Sequence, residues 1–337
     1  MGALQPNIKN SIGILLLMVV VAAICTISIQ FSDKNRKIDT RTAEASDETA
    51  AVANGSYIDS SSCETRGGMA DENGLKVWCW NTIGIPEYTG RAGIKFAQGQ
   101  LKIASECNEK QVSIVKDRLS FSVDPIAPPP GDWCRNKYNM RAEITTVPWK
   151  IKHEKGTEEW FGWDYTLGEN YRVDKEAPWS FFQVHPGVTG IPPHTSLMIV
   201  SKGQMKGHNA GEVFVANSAT DSNKYKATGF LPRPGETFNI VVHAIWGDAS
   251  NGLLQVWING VSVYDQQVAT VYSDYPWGGN AKWGIYKWRW RDESYVQKSI
   301  EQGITKLQTS MGSLRILTRT PDHPEYGKDA YFSVEPQ

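Results

Sequence analysis

Three short segments of this 337-residue chain carry side chains that could do acid–base chemistry on a charged ligand. Each reads as a β-strand with polar residues at alternating positions: Arg141 and Glu143 in the first, Gln183 and His185 in the second, and Lys282 and Tyr286 in the third. Alternate side chains of a strand point to the same face, so each segment has one polar and one apolar face. If the polar faces line one concave sheet, they form a cationic groove with a potential base and a potential acid.

The segment Trp179–His185 also has a plainer interpretation. It is rich in aromatic residues and stops at a Pro-Gly pair, which is typical of a strand. Alternation predicts one side with Trp179, Phe181, Gln183 and His185 and another with Ser180, Phe182 and Val184. Alone, this pattern favours polar residues that face solvent from a half-buried sheet. The same pattern in the other two segments favours a cleft.

Short strands separated by turn signals position these segments, from Ile94 to the end of the chain. The Asn-Gly pair at 259–260 predicts a tight type I′ hairpin. Residues 292–302 predict the one helix, inserted after a strand that ends at Trp288. The pattern predicts an all-β sandwich. The predicted strands are 118–123, 141–146, 160–166, 179–185, 197–201, 212–216, 238–246, 253–258, 261–264, 282–288, 314–318 and 330–334.

Composition narrows the class of protein. A formal net charge of −1 argues against a nucleic-acid-binding protein, which normally carries a basic excess. The 13 tryptophans all lie between Trp78 and Trp290, so they belong to one continuous region. Tryptophan-rich sheets are explained by large sandwich cores, by surfaces that stack on sugars, or by both.

The N-terminal residues predict export. An uncharged apolar run from Ile12 to Ile29 predicts that residues 1–31 are a signal peptide or a membrane anchor. Residues 32–62 are polar and are expected to form a disordered stalk. Residues 63–337 then form one domain. We expect a secreted or extracellular monomer, attached to a membrane only through its N-terminal segment if that segment is retained.

Four cysteines follow the apolar run, and an even number in an exported domain predicts two disulfides. Proximity along the chain favours Cys63 with Cys79 and Cys107 with Cys134. A zinc site is a weaker alternative, because no Cys-x-x-Cys or paired Cys/His spacing is present. Nothing in the sequence indicates a structural calcium.

The motifs Arg-x-Glu, Gln-x-His and Lys-x-Gly-x-Tyr, in this order, resemble those of the β-jelly-roll polysaccharide lyases. That group includes alginate, glucuronan and heparin lyase I-type enzymes. The resemblance covers roughly residues 90–335 and implies a concanavalin-like jelly roll of two antiparallel sheets. It places Arg141, Gln183, His185, Lys282 and Tyr286 at cleft positions. Thr145 stands where alginate lyases often carry a second arginine, and residues 161–163 are closer to the glucuronan and heparin-type branch.

The reaction implied by this resemblance is β-elimination on a polysaccharide that contains uronic acid. A lyase removes the C5 proton of a uronate and expels the 4-linked oxygen, leaving a 4,5-unsaturated uronate. The carboxylate beside C5 must be neutralised, and Arg141 and Gln183 offer donors for this. His185, or an ionised Tyr286, would be the base, and Tyr286 would be the acid for the leaving oxygen. No cofactor is required. Other residues expected to bind the substrate are Glu143, Trp179, Lys282 and Trp288.

Each candidate also has a structural explanation. Arg141 and Glu143 could form a surface ion pair, and Tyr286 could belong to the core. Trp288 and Trp290 continue the Tyr286 face, either as sugar platforms or as packing. The remaining histidines have no comparable neighbours and are expected to be uninvolved: His153, His194, His208, His243 and His323.

Other classes of function are less consistent with the polar face. A glycoside hydrolase would need two carboxylates that flank the scissile bond, whereas these groups are mainly basic. A lectin-like surface module could bind glycans without chemistry and is the main alternative. Such a module has no need for an acid and a base in one groove. A structural surface protein held by the N-terminal run is a third alternative, with no positive support.

Overall fold

The computed structural model describes residues 67–86, 93–105, 111–126, 138–202, 207–220 and 224–336. They lie within one compact unit, Asn54–Gln337. The predicted signal or anchor, the predicted stalk and three of the four downstream cysteines lie outside these residues, so export and the two disulfides stay predictions. Among the described residues, no helix has the length and apolar character needed to cross a membrane.

The described chain forms two antiparallel sheets that pack face to face. One sheet has eight strands: β2 (Lys95–Phe96), β3 (Leu101–Ser105), β6 (Arg141–Thr146), β8 (Trp179–His185), β9 (Thr195–Ile199), β10 (Val213–Asn217), β11 (Tyr225–Ala227) and β15 (Asn280–Tyr286). The other has nine: β1 (Leu75–Trp78), β4 (Val112–Val115), β5 (Arg118–Val123), β7 (Glu158–Leu167), β12 (Thr237–Ile245), β13 (Leu253–Ile258), β14 (Val261–Gln267), β16 (Leu307–Met311) and β17 (Leu314–Arg319).

The order of strands brings distant parts of the sequence together. The eight-stranded sheet runs β11-β10-β9-β8-β15-β6-β3-β2, so β15 lies between β8 and β6. The nine-stranded sheet runs β14-β13-β12-β7-β16-β5-β4, and β17 pairs with both β7 and β1. This arrangement confirms the predicted all-β jelly-roll sandwich.

Aromatic side chains fill the space between the sheets. Trp163 of the nine-stranded sheet lies 4.9 Å from Phe182 and 6.3 Å from Trp283 of the eight-stranded sheet, measured between ring centroids. All three residues are fully buried. Much of the tryptophan content therefore supplies apolar area to the core, as one of the two explanations predicted.

Local signals in the sequence were confirmed at two places. Asn259 and Gly260 both have positive φ, at 50° and 77°, which a type I′ hairpin between β13 and β14 requires. Helix α1 spans Glu293–Glu301, and the Asp292 side chain caps it by accepting a hydrogen bond from the Ser294 amide.

The prediction of a final strand at Ala330–Val334 was wrong. Tyr331–Val334 forms a short helix, α2, whose first amide donates to the Asp329 carboxylate. This helix packs on β7 at Gly162, where a Cβ would lie 1.7 Å from the Val334 carbonyl oxygen. The apolar residues of this segment therefore cover the nine-stranded sheet instead of extending it.

Candidate active site

The three polar segments are adjacent strands of the eight-stranded sheet. Tyr286 of β15 pairs with Arg141 of β6, and Lys282 pairs with Gln183 of β8 on its other side. The interleaved Ala142, Ile144, Trp283 and Ile285 lie in the hydrophobic core. The alternate residues therefore share the outer face of the sheet, which is where the sequence places the candidate site. Six predicted residues are brought together there: Arg141, Glu143, Gln183, His185, Lys282 and Tyr286.

Glu143 holds two of these side chains in place. Its Oε1 accepts a hydrogen bond of 2.5 Å from Gln183 Nε2, and its Oε2 lies 3.3 Å from Arg141 Nε. Glu143 itself is only 2% exposed. A carboxylate in this position would repel an anionic ligand, so its evident contribution is to orient the Arg141 and Gln183 donors.

Arg141 also packs on the candidate acid. Its guanidinium carbon lies 4.2 Å from the centroid of the Tyr286 ring, within the range of a cation–π contact. Both side chains are partly exposed, unlike Glu143 beneath them. The pair therefore presents a cation and a phenol side by side on the outer face of the sheet.

His185 is held in a neutral form by its surroundings. Its pKa is lowered to about 3, chiefly by burial and then by the charge of Lys282, while a backbone hydrogen bond with Ile191 acts in the opposite direction. The Gly187 amide donates to His185 Nδ1 over 3.1 Å. In a neutral imidazole the other nitrogen then carries the proton. This arrangement suits His185 to donate a hydrogen bond rather than to accept a proton.

Lys282 lies beneath an aromatic ring that the sequence did not single out. Its ammonium is 4.6 Å from the Trp149 ring centroid, and the same ring lies 4.7 Å from His185. The pKa of Lys282 is lowered to about 8, chiefly by burial; the charge of Glu143 acts to raise it, and the charges of Arg141 and Lys102 act to lower it. Trp149 follows Pro148 in a connecting segment, so no periodic signal could have placed it at the site.

Asn280 is a second residue that sequence reasoning missed. It is fully buried, pairs with His185 across the sheet, and donates from Nδ2 to Thr145 Oγ1 over 2.5 Å. It precedes Lys282 by two positions on β15. The alternation that identified Lys282 and Tyr286 could therefore have found Asn280 as well.

The prediction that Trp179 shares the polar face with Gln183 and His185 was wrong. The pairing of β8 with β9 shifts register between Ser180 and Phe182, which marks a β-bulge. As a result, Trp179 and Phe181 belong to the core with Phe182, and Trp179 is only 2% exposed. Simple alternation fails across a bulge because one extra residue reverses the order of the faces.

The two tryptophans after Tyr286 do not continue a strand face. β15 ends at Tyr286, and Trp288–Arg291 form a 3₁₀ helix. Trp290 is fully buried, and its Nε1 donates to Ser299 Oγ of α1 over 2.9 Å, so it is packing and not a platform. Trp288 stays half-buried, 6.0 Å from the Tyr286 ring, at the margin of the polar face.

Gly284 marks a bulge and does not open space for a ligand. Its φ is +130°, and it lies where the pairing of β15 with β8 shifts register. A Cβ there would lie 2.2 Å from the Ala142 carbonyl oxygen and 2.9 Å from Phe121 Cδ1. Glycine is needed because the protein itself occupies that space.

Across the ranges that the structure describes, no group of three or more His, Cys, Asp or Glu side chains could hold a metal ion. The polar face offers a guanidinium, an ammonium, an amide and a phenol. These groups can neutralise a carboxylate and move a proton.

A family model described as polysaccharide lyase matches residues 80–306, which is more than half of the sequence. The chain therefore belongs to this family, and it is a polysaccharide lyase. This membership sets aside the glycoside hydrolase and the non-catalytic binding module as alternatives. No curated protein sequence matches the chain.

Several solved structures are similar to this chain. A mutant of the alginate lyase Aly36B in complex with an alginate trisaccharide is 14% identical, with a TM-score of 0.48, and the match covers 73% of this chain and 98% of that one. The endo-β-1,4-glucuronan lyase from the fungus Trichoderma reesei is 15% identical, with a TM-score of 0.43 and coverage of 66% and 90%. An alginate lyase from Alteromonas sp. 272 is 17% identical, with a TM-score of 0.44 and coverage of 66% and 96%.

Kinetics can distinguish whether the buried Glu143 aligns Arg141 and Gln183 or binds the substrate directly. Glu143→Gln should lower kcat by about 10²-fold, because Arg141 and Gln183 lose the carboxylate that aligns them and small misplacements are costly. KM should change little. Steady-state kinetics with a melting curve would check this, with the exposed Glu301→Gln as the matched control. An increase in KM with unchanged kcat would instead support the substrate-binding role predicted from the sequence.

Proposed function

We propose that this lyase cleaves a polysaccharide that contains uronic acid, by β-elimination on the outer face of the eight-stranded sheet. The observation that carries the proposal is the contiguous set of Arg141, Gln183 and Tyr286. Arg141 contacts both the buried Glu143 and the Tyr286 ring, and Gln183 is fixed by the same Glu143. This set can hold a carboxylate next to a phenol.

The first chemical requirement is to neutralise the carboxylate of the reacting uronate. Loss of the C5 proton places negative charge on this carboxylate, as an enolate-like dianion forms. Arg141 can donate two parallel hydrogen bonds to it, and the Gln183 amide can add another. Donors fixed beforehand stabilise the developing charge without a cost of reorganisation during the reaction.

The second requirement is a base and an acid. The sequence left two candidates for the base, and the contacts of His185 favour Tyr286. In the proposed step, ionised Tyr286 takes the C5 proton, and the C–H electron pair forms the C4–C5 double bond. The bond from C4 to the glycosidic oxygen breaks, and this oxygen receives the proton from Tyr286. The products are a 4,5-unsaturated uronate end and a new reducing end.

These steps use only side chains of the chain, so the proposal requires no cofactor. An exported location fits a polymeric substrate outside the cell and rests on the predicted N-terminal segment. The substrate partner is an acidic polysaccharide, and we propose a monomer as the active form.

A substrate panel tests the proposed reaction. Glucuronan, alginate, heparin-like and pectic polymers would be incubated with the enzyme, and the ultraviolet absorbance of a 4,5-unsaturated uronate would be followed. We expect this absorbance to increase with at least one polymer that contains uronate. Products with a saturated non-reducing end and a new hydroxyl group would show hydrolysis and refute elimination.

A further inference from the structure

Two lysines extend the polar face to one edge of the sheet. Lys95 of β2 pairs with Lys102 of β3, Lys102 pairs with Thr145 of β6, and Thr145 pairs with Lys282 of β15. Residues paired across an antiparallel sheet point to the same face. Leu101 and Ile103, which flank Lys102, are buried in the core, so Lys102 points outward with Lys282.

Within the described ranges, neither Lys95 nor Lys102 forms an ion pair that would compensate its charge. Like charges directly opposite each other destabilise a sheet. Burial lowers the pKa of Lys102, and the charge of Lys95 lowers it further. The charge of Lys102 in turn lowers the pKa of Lys282. These cations repel one another and continue the row of polar side chains at the candidate site. An anionic ligand bound between them would reduce this repulsion.

On the β9–β10 side of the sheet, the outward-facing side chains are mainly apolar. Beyond β8, the residues in line with Lys282 and Gln183 are Ser196 of β9 and Ala216 of β10. The neighbouring row contains Met198 and Phe214, which pack with the half-buried Trp288. None of these side chains is charged. The face therefore changes from cationic on the β2–β3 side to mainly apolar on the β9–β10 side, where the His208 ring packs on Phe214 and lies 3.4 Å from the Glu212 carboxylate.

We propose that Lys95 and Lys102 form a second carboxylate-binding subsite, which holds a uronate a few sugars away from the reacting sugar on the same chain. The substrate chain then crosses the strands, with acidic sugars required over β3 and β2 and uncharged sugars accepted over β9 and β10. Strand spacings of roughly 4.8 Å place the subsite a short oligosaccharide length from Lys282. This inference rests on the proposed function, because it assumes that the reacting sugar lies beside Arg141 and Tyr286.

A double variant, Lys95→Met with Lys102→Met, tests the subsite. Methionine keeps most of the aliphatic stem and removes the charge. The matched control is Lys226→Met on β11, an exposed lysine at the opposite edge of the same sheet. Binding of hexaglucuronate and hexamannuronate would be measured by calorimetry, at low and high salt, and turnover would be measured on the polymer that the enzyme cleaves fastest.

The double variant should bind the better hexamer about tenfold more weakly at low salt, with a smaller difference at high salt, because exposed ion pairs are modest and screened. KM should increase and kcat should stay within about twofold. Its melting temperature should equal or exceed that of the wild type, since repulsion is relieved. Lys226→Met should change none of these quantities. Binding that weakens less than twofold, or as much in the control, would overturn the subsite.

The same measurements separate the subsite from the reaction. Elimination with unchanged binding by the double variant would refute the subsite alone. Binding that depends on Lys95 and Lys102, without an unsaturated product, would refute the proposed elimination and leave the subsite in place. A wild-type protein that neither binds nor cleaves a uronate would refute both.

Discussion

Tyr286→Phe should lower kcat by about 10² to 10⁴, the range expected for loss of general acid–base catalysis. The change removes one hydroxyl group and keeps the ring, so the contact with the Arg141 guanidinium persists. Trp283 and Ile285, on the opposite face of β15, are fully buried and hold the strand in place. The variant should therefore bind an oligouronate as the wild type does and melt at nearly the same temperature.

The experiment needs turnover and stability measured on the same preparation. Tyr326→Phe is a matched control, because the Tyr326 hydroxyl donates to the Gly156 carbonyl over 2.7 Å, just before β7 of the other sheet. That variant should lose about 1 kcal/mol of unfolding free energy and keep its kcat. If Tyr286→Phe behaves like Tyr326→Phe, Tyr286 is structural and the proposed acid–base role is wrong.

The polar face could be predicted from the sequence because its strands alternate regularly. On β6, Ala142 and Ile144 are buried in the core, and Arg141 and Glu143 alternate with them on the other face. The order β8-β15-β6 could not be predicted in the same way. It depends on pairing between residues about 95 to 145 positions apart, which leaves no local pattern.

The errors at the site come from irregular backbone. A bulge in β8 turns Trp179 into the core, and the end of β15 at Tyr286 places Trp290 in a 3₁₀ helix. Both features are set by neighbouring strands and by packing, so a pattern of period two cannot show them.

Three further residues at the site were not identified from the sequence, for a different reason. Trp149 lies on a connection between strands. Lys95 lies on the edge strand β2 and Lys102 on its neighbour β3, two short strands that were not predicted. Lysines are common on exposed surfaces, so their types alone carried no signal. Only the register across β2, β3 and β6 shows that they continue the groove.

A buried ion pair supports the strand that carries Tyr286. Lys287 Nζ lies 2.8 Å from Asp174 Oδ2 and donates to the Ala177 carbonyl oxygen over 2.5 Å. The Lys287 amide donates to the Met140 carbonyl oxygen over 2.8 Å, which joins the end of β15 to the residue before β6. Burial lowers the pKa of Lys287. Burial alone would raise the pKa of Asp174, but the charge of Lys287 and the hydrogen bonds from Lys287 and Ser299 lower it.

Asp174→Ala should therefore decrease the free energy of unfolding by about 3 to 5 kcal/mol, since it leaves the Lys287 ammonium buried without its partner. Urea titrations that compare midpoints and slopes would measure this loss. Adding Lys287→Met should recover part of it, because the double variant buries no charge. The exposed pair of Lys298 and Glu176, 3.5 Å apart, is the control, and Glu176→Ala should cost less than about 1 kcal/mol.

The same pair predicts how stability depends on pH. Because the pKa of Asp174 is lower in the folded protein than in the unfolded chain, its contribution is fully present above the unfolded value and is lost as pH decreases through the folded value. The difference in unfolding free energy between the wild type and Asp174→Ala should therefore be large at neutral pH and decrease in acid. A difference that stays constant with pH, or a loss no larger than that of Glu176→Ala, would show that the charge of Asp174 does not stabilise this end of β15.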